Sequence, residues 1–321
     1  MNPGKYRHLS RCALPNGRFV ILAIDHRASL REQLSADYGY PISDAEFSTF
    51  KQVLIDTLLP HASALLADPG FAIGPGLARG VISGRVGLFA PLERGDLLPS
   101  PADPIPLPDW DASKIKRMGA DGAKLLLHYN PEAPHAAAQR ARVAQLIEAC
   151  RRLDLPFCIE PIPAPLDAAQ PFTPEEYTRC MLSTVQQFRQ LKVDLLKLPF
   201  PSIASLGDGS AWRDAVTRIG QAAENTPWTL LSAGADYSTF VQQTIYACEY
   251  GGACGIIVGR AIWNEAIALR GKERIEFLRE EGARRLNHLA ELVQAHGRRW
   301  DDSVTPPNSE DFAWYQRYDP L

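Results

Sequence analysis

Eight short apolar runs, each followed by a stretch of helical periodicity, limit the folds open to this chain. They span residues 19–24, 64–67, 86–90, 122–128, 156–159, 193–198, 228–231 and 254–258. Runs this short and apolar read as strands covered on both faces, as in a parallel sheet. Between them, residues 47–62 read as a helix, with Ser43 as its cap and Glu46 three positions on. A second helix starts near Asp111 or Ser113, and a third covers residues 136–153. Thr173-Pro174-Glu175-Glu176 opens another, with a cap and a proline at its first position. From about Lys272 the chain reads as a charged amphipathic helix and then a tail holding Trp300, Phe312, Trp314 and Tyr315. A proline-rich stretch at 97–108 reads as a semi-rigid surface loop able to cover a site. Eight strand–helix units predict one (β/α)8 TIM barrel over residues 1–321, with a C-terminal helix and an aromatic-rich tail. No Gly-x-Gly-x-x-Gly follows the first run, which weighs against a doubly wound dinucleotide fold.

Composition narrows the partners. The 321 residues are 45% hydrophobic, enough for an ample core. A net charge of −3 argues against nucleic acid, whose phosphates call for a basic surface. No run of about 18 uncharged apolar residues is present, so no membrane span is expected. The first eight residues lack the apolar core of a signal peptide. Cysteines 12, 150, 158, 180, 248 and 254 are scattered without a CxxC pair, as in reduced thiols of a cytoplasmic protein.

Chemistry enters with Lys197, set between leucines in the sixth run and followed by a proline pair. A buried ammonium is costly unless it is paired or gives up its proton. An ordinary lysine, with pKa about 10.4, is neutral only ~0.04% of the time near pH 7. Lowering that pKa by ~3, a change of about 4 kcal/mol, makes it largely an amine able to form a Schiff base with a ketone. The alternatives are a lysine that reaches the surface or pairs with a carboxylate.

A barrel gathers its chemistry at the carboxyl ends of the strands. Asp25, Arg27, Lys124, Glu160, Lys197, Ser232 and Arg260 fall there. Taken singly, each has a plainer account: Asp25 and Arg27 as a salt bridge, Lys124 as a paired inward cation, Glu160 as a helix cap. Ser-Ala-Gly after the seventh run and Gly-Arg after the eighth, however, occupy the usual phosphate corner of such barrels. Seven ionic or anion-binding groups on one face point to a site.

The ordered motifs match a known family. They are Asp25-His-Arg-Ala-Ser-Leu, Gly-Ala-Lys124-Leu-Leu-Leu-His-Tyr-Asn, Ile-Glu160-Pro, Val-Asp-Leu-Leu-Lys197-Leu-Pro-Phe-Pro, Leu-Ser232-Ala-Gly and Gly259-Arg260-Ala-Ile-Trp263. The set, over about residues 18–265, resembles the class I tagatose 1,6-bisphosphate aldolases and the related sulfofructose phosphate aldolases. The resemblance implies metal-free, cofactor-free retro-aldol cleavage of a ketose 1,6-bisphosphate to dihydroxyacetone phosphate and glyceraldehyde 3-phosphate. A ketose 1-phosphate such as 6-deoxy-6-sulfofructose 1-phosphate is the alternative substrate. It further implies that Lys197 forms the imine while Lys124 stays cationic and repels a proton from it. Glu160 moves protons, and Asp25 orients hydroxyls or shares that work. Ser232, Gly234, Gly259 and Arg260 hold the 1-phosphate, and Arg27 and Ser29 the far anion. A homodimer is a further expectation from the resemblance. The chain departs from the family pattern at His26, where glutamine is common, and at Ala28, where glycine is common. It departs again at 198–201, where a Glu or Val usually precedes the proline.

Three rival functions have less support. A metal-dependent aldolase needs clustered histidines. Of His8, His26, His61, His128, His135, His288 and His296, only His26 and His128 fall at strand ends. A non-catalytic sugar-phosphate-binding barrel has no use for Lys197 in a buried strand. Another phosphosugar lyase or isomerase could share the phosphate corner without an imine.

Overall fold

Backbone hydrogen bonding closes the eight runs into a barrel. The computed structural model describes residues 1–95, 106–207, 209–302, 304 and 311–318; most of the proline-rich loop lies outside them. The strands are β1 (Phe19–Ile24), β2 (Ala64–Ala67), β3 (Gly87–Pro91), β4 (Gly122–Tyr129), β5 (Phe157–Pro163), β6 (Leu195–Leu198), β7 (Trp228–Leu230) and β8 (Gly255–Val258). They pair in sequence order, all parallel, and β8 returns to β1 through Phe19↔Gly255 to Leu22↔Val258. This is the (β/α)8 barrel predicted from the sequence. The helices are α1 (Pro3–Cys12), α2 (Ala28–Tyr38), α3 (Asp44–Leu58), α4 (Gly74–Ala78), α5 (Ala112–Met118) and α6 (Ala136–Arg151). They continue as α7 (Pro174–Gln190), α8 (Ser210–Ala223), α9 (Tyr237–Glu249), α10 (Arg260–Trp263), α11 (Gly271–Phe277) and α12 (Ala283–His296). None of the described helices is long and apolar enough to cross a membrane.

Local chemistry sets the helix starts. Ser43 with Glu46 at α3, and Thr173 with Glu176 at α7, form complete capping boxes, and Asp111 caps α5. Each satisfies backbone N–H groups that the first turn leaves unpaired.

Two packed layers fill the molecule. One lies between strands and helices; the other fills the lower barrel with Phe19, Ile21, Leu66, Phe89, Leu195 and Ile257. Gly255 permits the β1–β8 seam: its φ is +137°, and a Cβ there would stand 1.9 Å from the Phe19 carbonyl oxygen. Helix α1, not foreseen from the sequence, closes the floor with Leu9 and Cys12. Its Lys5 is buried in an ion pair with Asp194 at 2.7 Å, and His8 contacts Asp121 at 2.8 Å. Trp300 belongs to this floor, its ring centroid 5.0 Å from that of Tyr6. Phe312, Trp314 and Tyr315 are exposed. All six cysteines are free, buried thiols.

At the opposite end, α3 sends Lys51, fully buried, under the β1 terminus. Its ammonium donates to the carbonyls of Ile24 (3.0 Å) and His26 (2.6 Å), and pairs with Asp68 at the end of β2. Burial pushes the Lys51 pKa down, and Asp68 pulls it back. The clamp grips the chain on both sides of Asp25. Lys51→Met leaves the Asp68 carboxylate buried without its cation, and should lower unfolding stability by about 3–5 kcal/mol, read from urea denaturation.

Candidate active site

Strand β4 alternates between the two layers. Ala123, Leu125 and Leu127 face the helices, so Lys124, Leu126 and His128 face the lumen. Lys124 is buried, and three carboxylates from three elements converge on its ammonium. Asp25 Oδ2 after β1 lies at 2.8 Å, Glu93 Oε1 after β3 at 2.9 Å and Glu160 Oε2 of β5 at 2.8 Å. The same Glu160 oxygen lies 2.9 Å from Nζ of Lys197, itself only 4% exposed on β6. The four residues read from the sequence as catalytic thus form one connected cluster, with the two lysines sharing one carboxylate oxygen.

Electrostatics fixes the charge states. Burial alone would strip the Lys124 proton, but the three carboxylates outweigh it and hold the pKa well above the ordinary lysine value. Burial would raise the Asp25 and Glu160 carboxyls, yet Lys124 and Lys197 hold both below their ordinary values. Both are therefore carboxylates at neutral pH. Cys158, beside them in the lumen, is pushed up to about 12 by burial and is inert as a nucleophile.

Glu93 is the member not singled out in the sequence. It is 3% exposed, accepts from the Leu126 backbone N–H at 3.1 Å and meets Arg27 at 3.4 Å. The available signal was position: like Asp25 and Glu160, it is an acid at the end of an apolar run. His128 reads from the sequence only as a candidate metal ligand. Among the described residues no group of three or more His, Cys, Asp or Glu is arranged to hold a metal ion, and the point where three carboxylates meet is filled by Lys124.

The remaining residues lie on the loops of β1, β7 and β8. Arg27 occupies the N-cap position of α2 without a side-chain cap hydrogen bond, and half-buried Ser29 lies in that helix's first turn. Ser232, 7% exposed, begins the turn after β7, where Ala233 (φ +47°) and Gly234 (φ +85°) both take left-handed backbone. For Ala233 that conformation is strained. After β8, Gly259 packs so closely that a Cβ would stand 2.8 Å from the Ala23 oxygen and 2.9 Å from His26 Cε1. The side chain of half-buried Arg260 makes no hydrogen bond or ion pair among the described residues, which leaves its guanidinium available to an anion. These groups lie on adjacent strands β7, β8 and β1.

A pH consequence follows from the depressed carboxyls. Unfolded Asp and Glu take up protons near 3.8 and 4.5, whereas folded Asp25 and Glu160 do so only at lower pH. Their contribution is therefore present above that range and lost as pH falls through it toward the folded values. Stability to urea should fall on acidification from about pH 6 to about pH 3, and more shallowly in Asp25→Asn.

Comparisons with known proteins bear on the family and the fold. A family model described as DeoC/LacD family aldolase matches residues 19–265. Tagatose 1,6-diphosphate aldolase 2 of Enterococcus faecalis is 28% identical over 330 residues, covering 95% of this chain and 98% of the relative. The tagatose 1,6-diphosphate aldolase 2 of Streptococcus mutans is 24% identical, with coverage of 94% and 98%. Among solved structures, an archaeal fructose-1,6-bisphosphate aldolase carries its catalytic lysine covalently bound to the carbinolamine intermediate of the substrate. It superposes with a TM-score of 0.58 at 18% identity, covering 90% of this chain and 99% of that one. The fructose-bisphosphate aldolase of Slackia heliotrinireducens gives a TM-score of 0.64 at 15% identity, with coverage of 91% and 90%. At such identities the structural likeness is one of fold.

Proposed function

Because this chain belongs to the DeoC/LacD aldolase family, and so is a carbon–carbon lyase, we propose that it cleaves a ketose 1,6-bisphosphate of the tagatose type through a Schiff base on Lys197. The products are dihydroxyacetone phosphate and glyceraldehyde 3-phosphate. The observation that carries the reading is the Lys197 amine, buried in β6 and 2.9 Å from a carboxylate that an adjacent ammonium keeps ionised. The tagatose substrate rests on the names of the relatives in Enterococcus and Streptococcus.

The chemistry can be written through these groups. Lys197 passes its proton to Glu160, and the free amine attacks C2 of the ketose to give a carbinolamine. Glu160 returns the proton to the C2 oxygen, which leaves as water, and an iminium remains. Glu160, again a carboxylate, takes the C4 hydroxyl proton. The C3–C4 bond breaks, its electrons move into the iminium, and the aldehyde departs. Protonation of the resulting enamine at C3 and hydrolysis release dihydroxyacetone phosphate. Lys124 keeps Glu160 acidic enough to give protons back. Asp25, held in place by Lys124 and the Lys51 clamp, orients the hydroxyls. Ser232, Gly234, Gly259 and Arg260 receive the 1-phosphate, and Arg27 with Ser29 the far anion.

Two measurements test this. Borohydride with dihydroxyacetone phosphate should leave a stable adduct on Lys197, absent in Lys197→Met, whose kcat/KM should fall by on the order of a thousandfold or more. Absence of any adduct in the wild type sinks the imine. Glu160→Gln should still yield the adduct at equilibrium while losing about 10²–10⁴ in kcat.

A further inference from the structure

The floor of the barrel, at the end away from the mouth, holds a second series of titratable groups. His8 of α1 has a partner on each ring nitrogen. Its Nδ1 lies 2.8 Å from Asp121 Oδ1, and its Nε2 lies 2.8 Å from Nζ of Lys116 on α5. Asp121, fully buried just before β4, also accepts the Leu88 backbone N–H on its other oxygen at 3.1 Å, which fixes the carboxylate. A carboxylate only accepts, so Nδ1 carries the proton of the neutral ring, and Nε2 turns its lone pair toward Lys116. Carboxylate, imidazole and amine thus follow one another in the order that activates a nucleophile: the acid orients the ring, and the ring takes the nucleophile's proton.

Lys116 is placed to react. It is half-buried in the last turn of α5, so part of its side chain meets solvent. Burial, foremost, and the nearby Arg7 oppose its charged form, Asp154 and Asp121 favour it, and the balance holds its pKa below the ordinary lysine value. Lys5 and Lys51, by contrast, are buried against carboxylates. Arg11 lies 3.6 Å from Asp121, whereas the exposed Arg7 side chain makes no hydrogen bond or ion pair among the described residues and can receive an anion. We infer that Lys116 is a site of acylation, with His8 as its base and a small acyl phosphate, its phosphate on Arg7, as the donor. The ammonium gives one proton to His8 Nε2, which hands it to water. The free amine attacks the acyl carbon, and the carbon–oxygen bond to phosphate breaks with its electrons leaving on phosphate. The second proton lost from nitrogen takes the same route, and an amide remains. Nothing in this depends on the chemistry at the mouth.

The test incubates the protein with acetyl phosphate near neutral pH and follows acetylation of each lysine by peptide mass spectrometry. Lys116 should react on the order of tenfold faster than Lys192, which is exposed and has no side-chain partner among the described residues. His8→Gln can still accept from the ammonium but cannot take its proton. It should bring Lys116 down to about the rate of Lys192 and leave Lys192 unchanged. Arg7→Gln should slow Lys116 toward acetyl phosphate but not toward an uncharged N-hydroxysuccinimide ester of acetic acid. A wild-type Lys116 no faster than Lys192 overturns the inference. So does a fast Lys116 that His8→Gln leaves fast, which marks exposure alone. An equal response of Arg7→Gln to both reagents overturns the assignment of an acyl phosphate as donor.

Discussion

One ammonium organises the mouth of this barrel. Lys124 would be expelled from a site this dry were it not met by Asp25, Glu93 and Glu160, and each of those carboxylates would be as costly without it. With Lys197 and Arg27 the cluster holds three cations against three anions, and Arg27 closes onto Glu93 and Lys197 onto Glu160. The ends of β1, β3, β4, β5 and β6 are thereby joined by charge as well as by the backbone ladder. Charged groups that would each destabilise the interior persist because they arrive as a set.

The barrel divides its labour between its ends. The floor is apolar, with Phe19, Ile21, Leu66 and Ile257 stacked above α1, and the Lys5–Asp194 ion pair and the His8–Asp121 contact attach the helix to the strand beginnings. The upper lumen carries Lys124, Glu160 and Lys197 instead, and on β5 and β6 the charged groups stand just two residues beyond Cys158 and Leu195 of the floor. That change, from a packed interior to a charged one within a few residues of each strand, gives the amine of Lys197 a low-dielectric setting with a proton acceptor in contact.

The strands were legible because a parallel sheet under helices demands apolar residues on both faces. The run at 19–24 matches β1 and the run at 64–67 matches β2 residue for residue. The caps Ser43, Asp111 and Thr173 were legible because their hydrogen bonds are local. The partners of Lys124 were not. Asp25 lies ninety-nine residues away and Glu93 thirty-one, and only the closure of the sheet makes them neighbours. Lys51 was hidden for the same reason: within α3 it reads as an ordinary polar position, and its burial under β1 is visible only in three dimensions. Helix α1 carries too few apolar residues to announce itself, because its attachment to the barrel relies on Lys5 and His8 as much as on Leu9.

The floor has a consequence for how the chain folds. It joins α1 to Trp300, whose backbone N–H reaches the Gly17 carbonyl at 2.9 Å while the Tyr6 hydroxyl reaches Asp301 at 3.1 Å. These contacts span almost the whole described chain, so the entropy of closing so long a loop must be met before any of them forms. The strands can pair in sequence as they appear, each beside the one before. Sealing the floor comes last, when residues near 300 meet those near 6. Until then the lower lumen, with Phe19 and Phe89, is open to water, and the half-built barrel is most exposed to association with other chains at that stage.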